Sequence, residues 1–151
     1  MRDIELLYAN GCSMTYGAEL GEMKSEAETV HENLHRLRYA WPNQLATLLG
    51  ISSINDAKGG SSNLRILRTT IEWISHYRNN GNDLSKLFVV IGWSSDSRQE
   101  FRDFHDDMWW DLLPQWKGQP NPTREKARRS YVKHFFNPKA DIIWTCVYII
   151  S

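Results

Sequence analysis

Ser13 lies in Asn10-Gly11-Cys12-Ser13-Met14-Thr15-Tyr16-Gly17, directly after the apolar run Ile4 to Ala9. A serine delivered by a strand into a glycine-flanked turn presents a free hydroxyl beside backbone amides, the equipment of nucleophilic acyl transfer. Two more small-residue loops follow, Lys58-Gly59-Gly60-Ser61-Ser62-Asn63 and Trp93-Ser94-Ser95-Asp96-Ser97-Arg98. In this set Ser13 is the candidate nucleophile, and Gly60 and Ser94 are the candidate oxyanion donors. Such donors stabilise charge that exists only in the transition state, and losing one costs about 3 kcal/mol. Asn10, Gly11, Cys12, Asn63 and Trp93 flank them as candidate ligand contacts.

Each of these groups also has a plainer role. The Ser13 hydroxyl could cap its own turn, Cys12 could be a small buried apolar side chain as readily as a thiol nucleophile, and Ser94 could simply end a strand. Gly59 to Asn63 could cradle a phosphate at a helix N-terminus. No Walker lysine or complete G-x-G-x-x-G accompanies it, so a tight loop with an Asn cap serves equally well. Asp103-Phe104-His105-Asp106-Asp107 carries metal-capable side chains, but their spacing fits no common zinc pattern and a solvated acidic face explains them better. No metal or other cofactor is implied. Trp109, Trp110 and Trp116 pack under a loop or hold a ligand.

The elements that position these loops can be read from periodicity. Residues 4–9 and 86–92 are apolar and β-prone, residues 51–57 read as a further strand, and each of the three loops follows one of them. Trp41 to Gly50 reads as a helix with Pro42 in its first turn, Leu45, Leu48 and Leu49 on one face, and Gly50 as its stop. From Leu64 a stripe of Leu64, Leu67, Ile71 and Ile74, widened by Ile66, Trp73 and Tyr77, predicts a second helix capped by Ser62 or Asn63, with Arg65, Arg68 and Glu72 facing away. Residues 18–38 are polar and read as an insertion with one weak helix. Residues 93–122, rich in Trp and Pro, read as irregular. Residues 123–136 should be helical, with Ala127, Tyr131 and Phe135 on one side and a solvated basic face that the preceding acidic segment could meet. Asp141 to Ile150 is apolar all round, and the alternation before it favours helix. Strand, loop and helix repeat about three times, which is the pattern of a single parallel α/β domain over residues 1–151 with strand order 2-1-3. The three loops should then line one crevice at the strand carboxyl ends.

Gly11-Cys12-Ser13, Gly60 and Gly92-Trp93-Ser94 occur in the order of the first three blocks of the SGNH (GDSL-type) hydrolase family, which this chain resembles. Asn10 to Gly17 followed by Tyr39 to Leu45 also looks like the SGNH-like proteins of bacteriophage genomes. The resemblance implies a three-layer flavodoxin-like fold and serine esterase chemistry of the acyl or acetyl type on a small-molecule ester. Two departures stand against full activity. Ser94 replaces the third-block asparagine, and no Asp-x-x-His follows, which reads as a domain truncated at its C-terminus. A substitute base would have to be His105 or His134, since triads are defined by geometry and not by order. The other outcome is a non-catalytic protein that uses the same crevice for binding.

Composition excludes several classes. Lys plus Arg equals Asp plus Glu at 18 each, so no global field draws the chain to nucleic acid or an anionic membrane. No apolar run reaches the roughly 20 residues of a membrane span. Two cysteines, Cys12 and Cys146, without a signal-like leader point to the cytoplasm. An early end would leave the third strand as an apolar edge, predicting self-association through that strand or the C-terminal segment.

Overall fold

Residues Leu6–Gly11 form β1, and its two-residue alternation sets the layers. Tyr8 faces a cluster of Ile66, Leu87, Val89 and Ile91, while Leu7 and Ala9 face a second cluster with Ala46 and Val90. The computed structural model describes residues 3–18, 20, 30–103, 106–118, 121–138 and 147–150. In chain order β1 is followed by α1 (Ser13–Tyr16), α2 (Val30–Tyr39), α3 (Trp41–Leu49), β2 (Ser52–Asn55), α4 (Asn63–Asn79), β3 (Leu87–Gly92), β4 (Gln99–Arg102), β5 (Trp109–Leu112), α5 (Pro122–His134) and β6 (Val147–Ile150). The main sheet runs β2-β1-β3-β6. β1 pairs in parallel with β2 and β3, as a strand, helix, strand alternation requires. Among the described residues no helix is long and apolar enough to cross a membrane.

α3 packs on one face of the sheet and α4 on the other, so the chain is a mixed α/β structure with the core in two layers around β1. α3 starts with Pro42 in its first turn and stops at Gly50, whose φ of 69° suits glycine and whose amide returns to Ala46 and Thr47. Its buried face is Pro42 and Ala46 with Leu45 packed beside them, while Leu48 and Leu49 are exposed, so two of the three leucines read as one face are turned outward. α4 is shifted in the same way. Ile66 and Thr70 are buried, whereas Leu64, Leu67 and Ile71 are exposed. The cause is Asn10, whose buried amide donates to the Ile66 carbonyl and to the Thr69 and Thr70 hydroxyls at 3.2, 2.8 and 3.0 Å. A buried amide must be satisfied, so α4 turns its threonines inward and part of its apolar stripe outward.

Three further expectations are corrected. β6 is a strand, antiparallel to β3, with Gly92 opposite Val147 and Val89 opposite Ile150, so Val147 to Ile150 is not helical; residues 141–146 lie outside the described residues. β3 therefore has neighbours on both sides, and self-association through an open β3 edge loses its basis. The segment read as irregular contains a two-stranded antiparallel ribbon, β4 with β5, in which Glu100 pairs with Asp111 and Phe101 with Trp110. Its polar face is turned onto arginines of α4. In the polar insertion, α2 accounts for residues 30–39, and residues 19 and 21–29 lie outside the described residues.

Tyr8 is fully buried, stacks on Trp73 with ring centroids 4.0 Å apart, and donates to the Asp56 carboxylate at 2.8 Å. Burial, and then the Asp56 charge and hydrogen bond, push its pKa far above the usual value of 10.0. Above that value the unfolded chain loses this proton and the folded chain keeps it, so stability falls as pH rises, by up to about 1.4 kcal/mol per pH unit from this group. Urea midpoints measured between neutral pH and pH 11 should fall more steeply for the parent than for Tyr8→Phe. Parallel curves would show that Tyr8 is not the group responsible.

Candidate functional site

The three loops meet at the carboxyl ends of the parallel strands. Past β2 the pairing continues as Asp56 N–H to the Ala9 carbonyl and Lys58 N–H to the Gly11 carbonyl, and the Asn55 amide donates to the Thr15 carbonyl at 2.8 Å. These contacts hold the second loop against the first. The third loop is tied to the second by Asn63, whose Oδ1 accepts from the Ser94 amide at 2.7 Å and whose Nδ2 donates to the Ser94 carbonyl at 3.1 Å and to Asp96 at 3.0 Å.

Between the first and third loops lies a notch made by Gly11 and Gly92, which are opposite each other in register. Thr15, 2% exposed, fills it. A Cβ added at either glycine would lie 2.3 Å from Thr15 Oγ1. The glycines are thus needed for close approach of a side chain, and α1 rests on the sheet through Thr15. α2 holds α1 from outside, with the Arg36 guanidinium 3.6 Å above the Tyr16 ring centroid and bonded to the Tyr16 carbonyl.

Ser13 is the first residue of α1 and is half-buried. Its carbonyl accepts from Gly17 and Ala18, while its hydroxyl makes no hydrogen bond among the described residues, so the capping role is not the one it plays here. Cys12 is buried as the residue preceding α1. Asn10 lies beneath the crevice with its amide committed to α4 and its Oδ1 to the Gly11 amide, and Trp93 packs against the Tyr8 cluster. The Asn10 side chain is thus committed to structural bonds. Gly60 has φ +79°, and its amide makes no hydrogen bond among the described residues. Ser94 is 2% exposed; its amide is taken by Asn63, and its Oγ is buried without a partner.

No described histidine or carboxylate bonds to Ser13. His134 is exposed at the end of α5 beside the Phe135 ring, His35 lies against Tyr39, and His105 lies outside the described residues. No group of three or more metal-ligating side chains occurs among the described residues. Asp103 and Asp106 instead approach Arg124 at 3.5 and 3.1 Å, and Asp107 pairs with Arg102. The acidic segment thus meets the helix that follows it, although Arg128, placed on a solvated face by the sequence, is buried against the Pro114 carbonyl at 2.8 Å.

The sequence reading missed the cover over the second loop. Leu113 lies 3.4 Å from the position a Gly60 Cβ would take, and Asp111 Oδ1 accepts from the Ser62 amide at 3.1 Å, at the N-terminus of α4. Arg68 bonds Glu100 at 2.6 and 3.0 Å, and Arg65 approaches Glu100 at 3.7 Å and Asp111 at 3.8 Å. The signal was present as two arginines one turn apart on α4 and two carboxylates in a strand-like alternation with aromatics.

This is an α/β chain whose strand-end loops carry a serine hydroxyl without a hydrogen bond among the described residues, with a charged ribbon lying against the second loop. It belongs to the family of unknown function DUF6071, whose model matches residues 18–135. That span takes in Gly60, Ser94, the ribbon and α5, and begins just after the Ser13 turn. No curated protein and no solved structure matches the chain.

Proposed function

We propose that this chain is an SGNH-like serine ester hydrolase, of the acyl or acetyl esterase type, built on a flavodoxin-like SGNH-type fold and acting slowly on a small cytoplasmic ester. Ser13 is the nucleophile, the Gly60 amide is one oxyanion donor, and Ser94 is the other. Because the Ser94 amide is bound by Asn63, the donor left at Ser94 is its unpartnered hydroxyl, which is buried and has to be uncovered by a shift of the third loop before it can reach an oxyanion. The observation that carries the reading is the Ser13 hydroxyl, which makes no hydrogen bond among the described residues and belongs to the first of three strand-end loops that touch. Without a general base the expected loss is about 10²–10⁴-fold in rate. A fluorophosphonate probe should label the parent at Ser13 and leave Ser13→Ala unlabelled, with slow p-nitrophenyl acetate hydrolysis lost in the same variant.

The second reading is a non-catalytic protein that binds a ligand in the same crevice. It is favoured by the absence of any histidine or carboxylate bonded to Ser13 among the described residues. Failure of the probe to label Ser13, with ester hydrolysis no faster than the Ser13→Ala background, would decide for it and against the hydrolase.

A further inference from the structure

We propose that the outer face of α4 pairs with the same face of a second copy of this chain, the two helices lying antiparallel across a two-fold axis at Ile71. α4 has three faces roughly a third of a turn apart. Ile66, Trp73 and Tyr77 pack with Tyr8 on the sheet, and Arg65 and Arg68 reach the ribbon carboxylates Glu100 and Asp111. The third face carries Leu64, Leu67 and Ile71, which are 54%, 45% and 56% exposed, with the half-buried Ile74 at its border. Large aliphatic side chains in one line along a helix form a contiguous patch, which marks a contact surface, unlike apolar residues scattered singly.

Spacing selects a helix as the occupant. Leu64, Leu67, Ile71 and Ile74 recur at intervals of three, four and three residues, the seam that two helices share when they pack side by side at a shallow angle. Each side chain on such a seam enters a gap between side chains of the facing helix, so the facing helix needs the same spacing. A second α4 has it.

Charge selects the direction. At the N-terminal end of the stripe Asn63, one turn before Leu67, donates to the exposed Asp96 carboxylate at 3.0 Å. At the other end Arg78, one turn after Ile74, is exposed in the last turn of α4. Neither Asp96 nor Arg78 makes an ion pair among the described residues. Parallel packing would set arginine against arginine and aspartate against aspartate. Antiparallel packing centred on Ile71, midway between Leu64 and Arg78, sets Leu67 against the partner's Ile74 and brings the partner's Arg78 to the end that carries Asp96. Opposite charges then meet twice, and a face that complements itself in this way makes a two-fold interface. Asp96 belongs to the third loop, so the partner's Arg78 braces that loop from outside.

Sedimentation equilibrium between about 1 and 100 μM, a span that covers modest interfaces, should show the parent in reversible exchange between monomer and dimer. Ile71→Glu, at an exposed position, should fold and weaken the dimer about 100-fold or more. Circular dichroism melting checks that it folds. Arg78→Glu and Asp96→Arg should each weaken the dimer about tenfold, because each sets like charges together at both ends of the seam. An equimolar mixture of these two variants should associate as tightly as the parent, since both ends of the mixed dimer then join opposite charges. Ser13→Ala should dimerise as the parent does, so the result is independent of the hydrolase reading. A parent that stays monomeric throughout overturns the second copy as occupant and leaves the face to a different protein. A dimer undisturbed in folded Ile71→Glu overturns α4 as the interface. A mixture that associates no better than either charge variant alone overturns the antiparallel pairing.

Discussion

Gly92→Ala should destabilise the protein by about 2 kcal/mol, the cost of forcing a methyl into a filled space, and Thr15→Ala should remove most of that loss. The new Cβ would lie 2.3 Å from Thr15 Oγ1 but 3.6 Å from Thr15 Cβ, so deleting the hydroxyl leaves an ordinary contact. Gly11→Ala should behave differently although it faces the same side chain. There the added Cβ would meet Thr15 Cβ at 2.7 Å and the Gly92 carbonyl at 2.8 Å as well, and no truncation of Thr15 to alanine clears those atoms. The double variants separate the two cases: urea unfolding should show strong positive coupling for Thr15 with Gly92 and little rescue for Thr15 with Gly11. Equal rescue at both glycines would mean that α1 simply lifts from the sheet. Since Ser13 and Thr15 share this short helix, Gly92→Ala should also weaken probe labelling of Ser13.

Arg68→Met should cost about 3 kcal/mol or more, because it leaves the Glu100 carboxylate buried with a single distant partner. The Glu100 side chain is 2% exposed and receives two bonds from Arg68, while Arg65 stands 3.7 Å away. Glu100 and its hydrogen bonds hold the Arg68 guanidinium pKa far above its ordinary range, so acid or alkali in the working range does not discharge the arginine. Arg68 also lies 4.5 Å from the Trp109 ring centroid, which adds a cation–π contact to the same seam. The double variant Arg68→Met, Glu100→Met should recover most of the loss, since replacing a whole buried pair by apolar groups is often neutral. Chemical denaturation of the two single variants and the double variant measures it. A single-variant loss near zero would show the ribbon to be held by Leu113 and Asp111 instead.

The sheet could be read from the sequence because β1 and β3 are dominated by burial, and burial leaves a plain apolar signal. The Pro and Gly limits of α3 and the Ser62 cap of α4 were legible for a similar reason, as each reports a local backbone requirement. The inward faces of α3 and α4 were not legible. Hydropathy placed leucines inward, whereas the hydrogen-bonding demand of Asn10, a residue more than fifty positions away, placed Thr70 there. The ribbon failed for a related reason: Glu100 and Asp111 look like solvent-facing residues until Arg65 and Arg68 are brought across from α4. β6 failed because four apolar residues carry no period of their own. At the candidate site, residue type and order located Ser13, Gly60 and Ser94 on loops that do adjoin. What residue type could not show is that Asn63 uses its side chain on Ser94, or that Asn10 faces away from the crevice.

The reversed direction of β6 has a practical consequence for handling the protein. β1 enters the sheet at Leu6, beside Ser52 and Leu87, and β6 runs from the level of Gly92 down to that of Val89. The chain therefore enters the sheet at the rim opposite the Ser13 loop and heads back toward that rim as it leaves. A surface linker attached beside Leu6 or Leu87 therefore starts at the rim of the sheet opposite the Ser13 loop, which leaves that loop facing solution when the protein is immobilised.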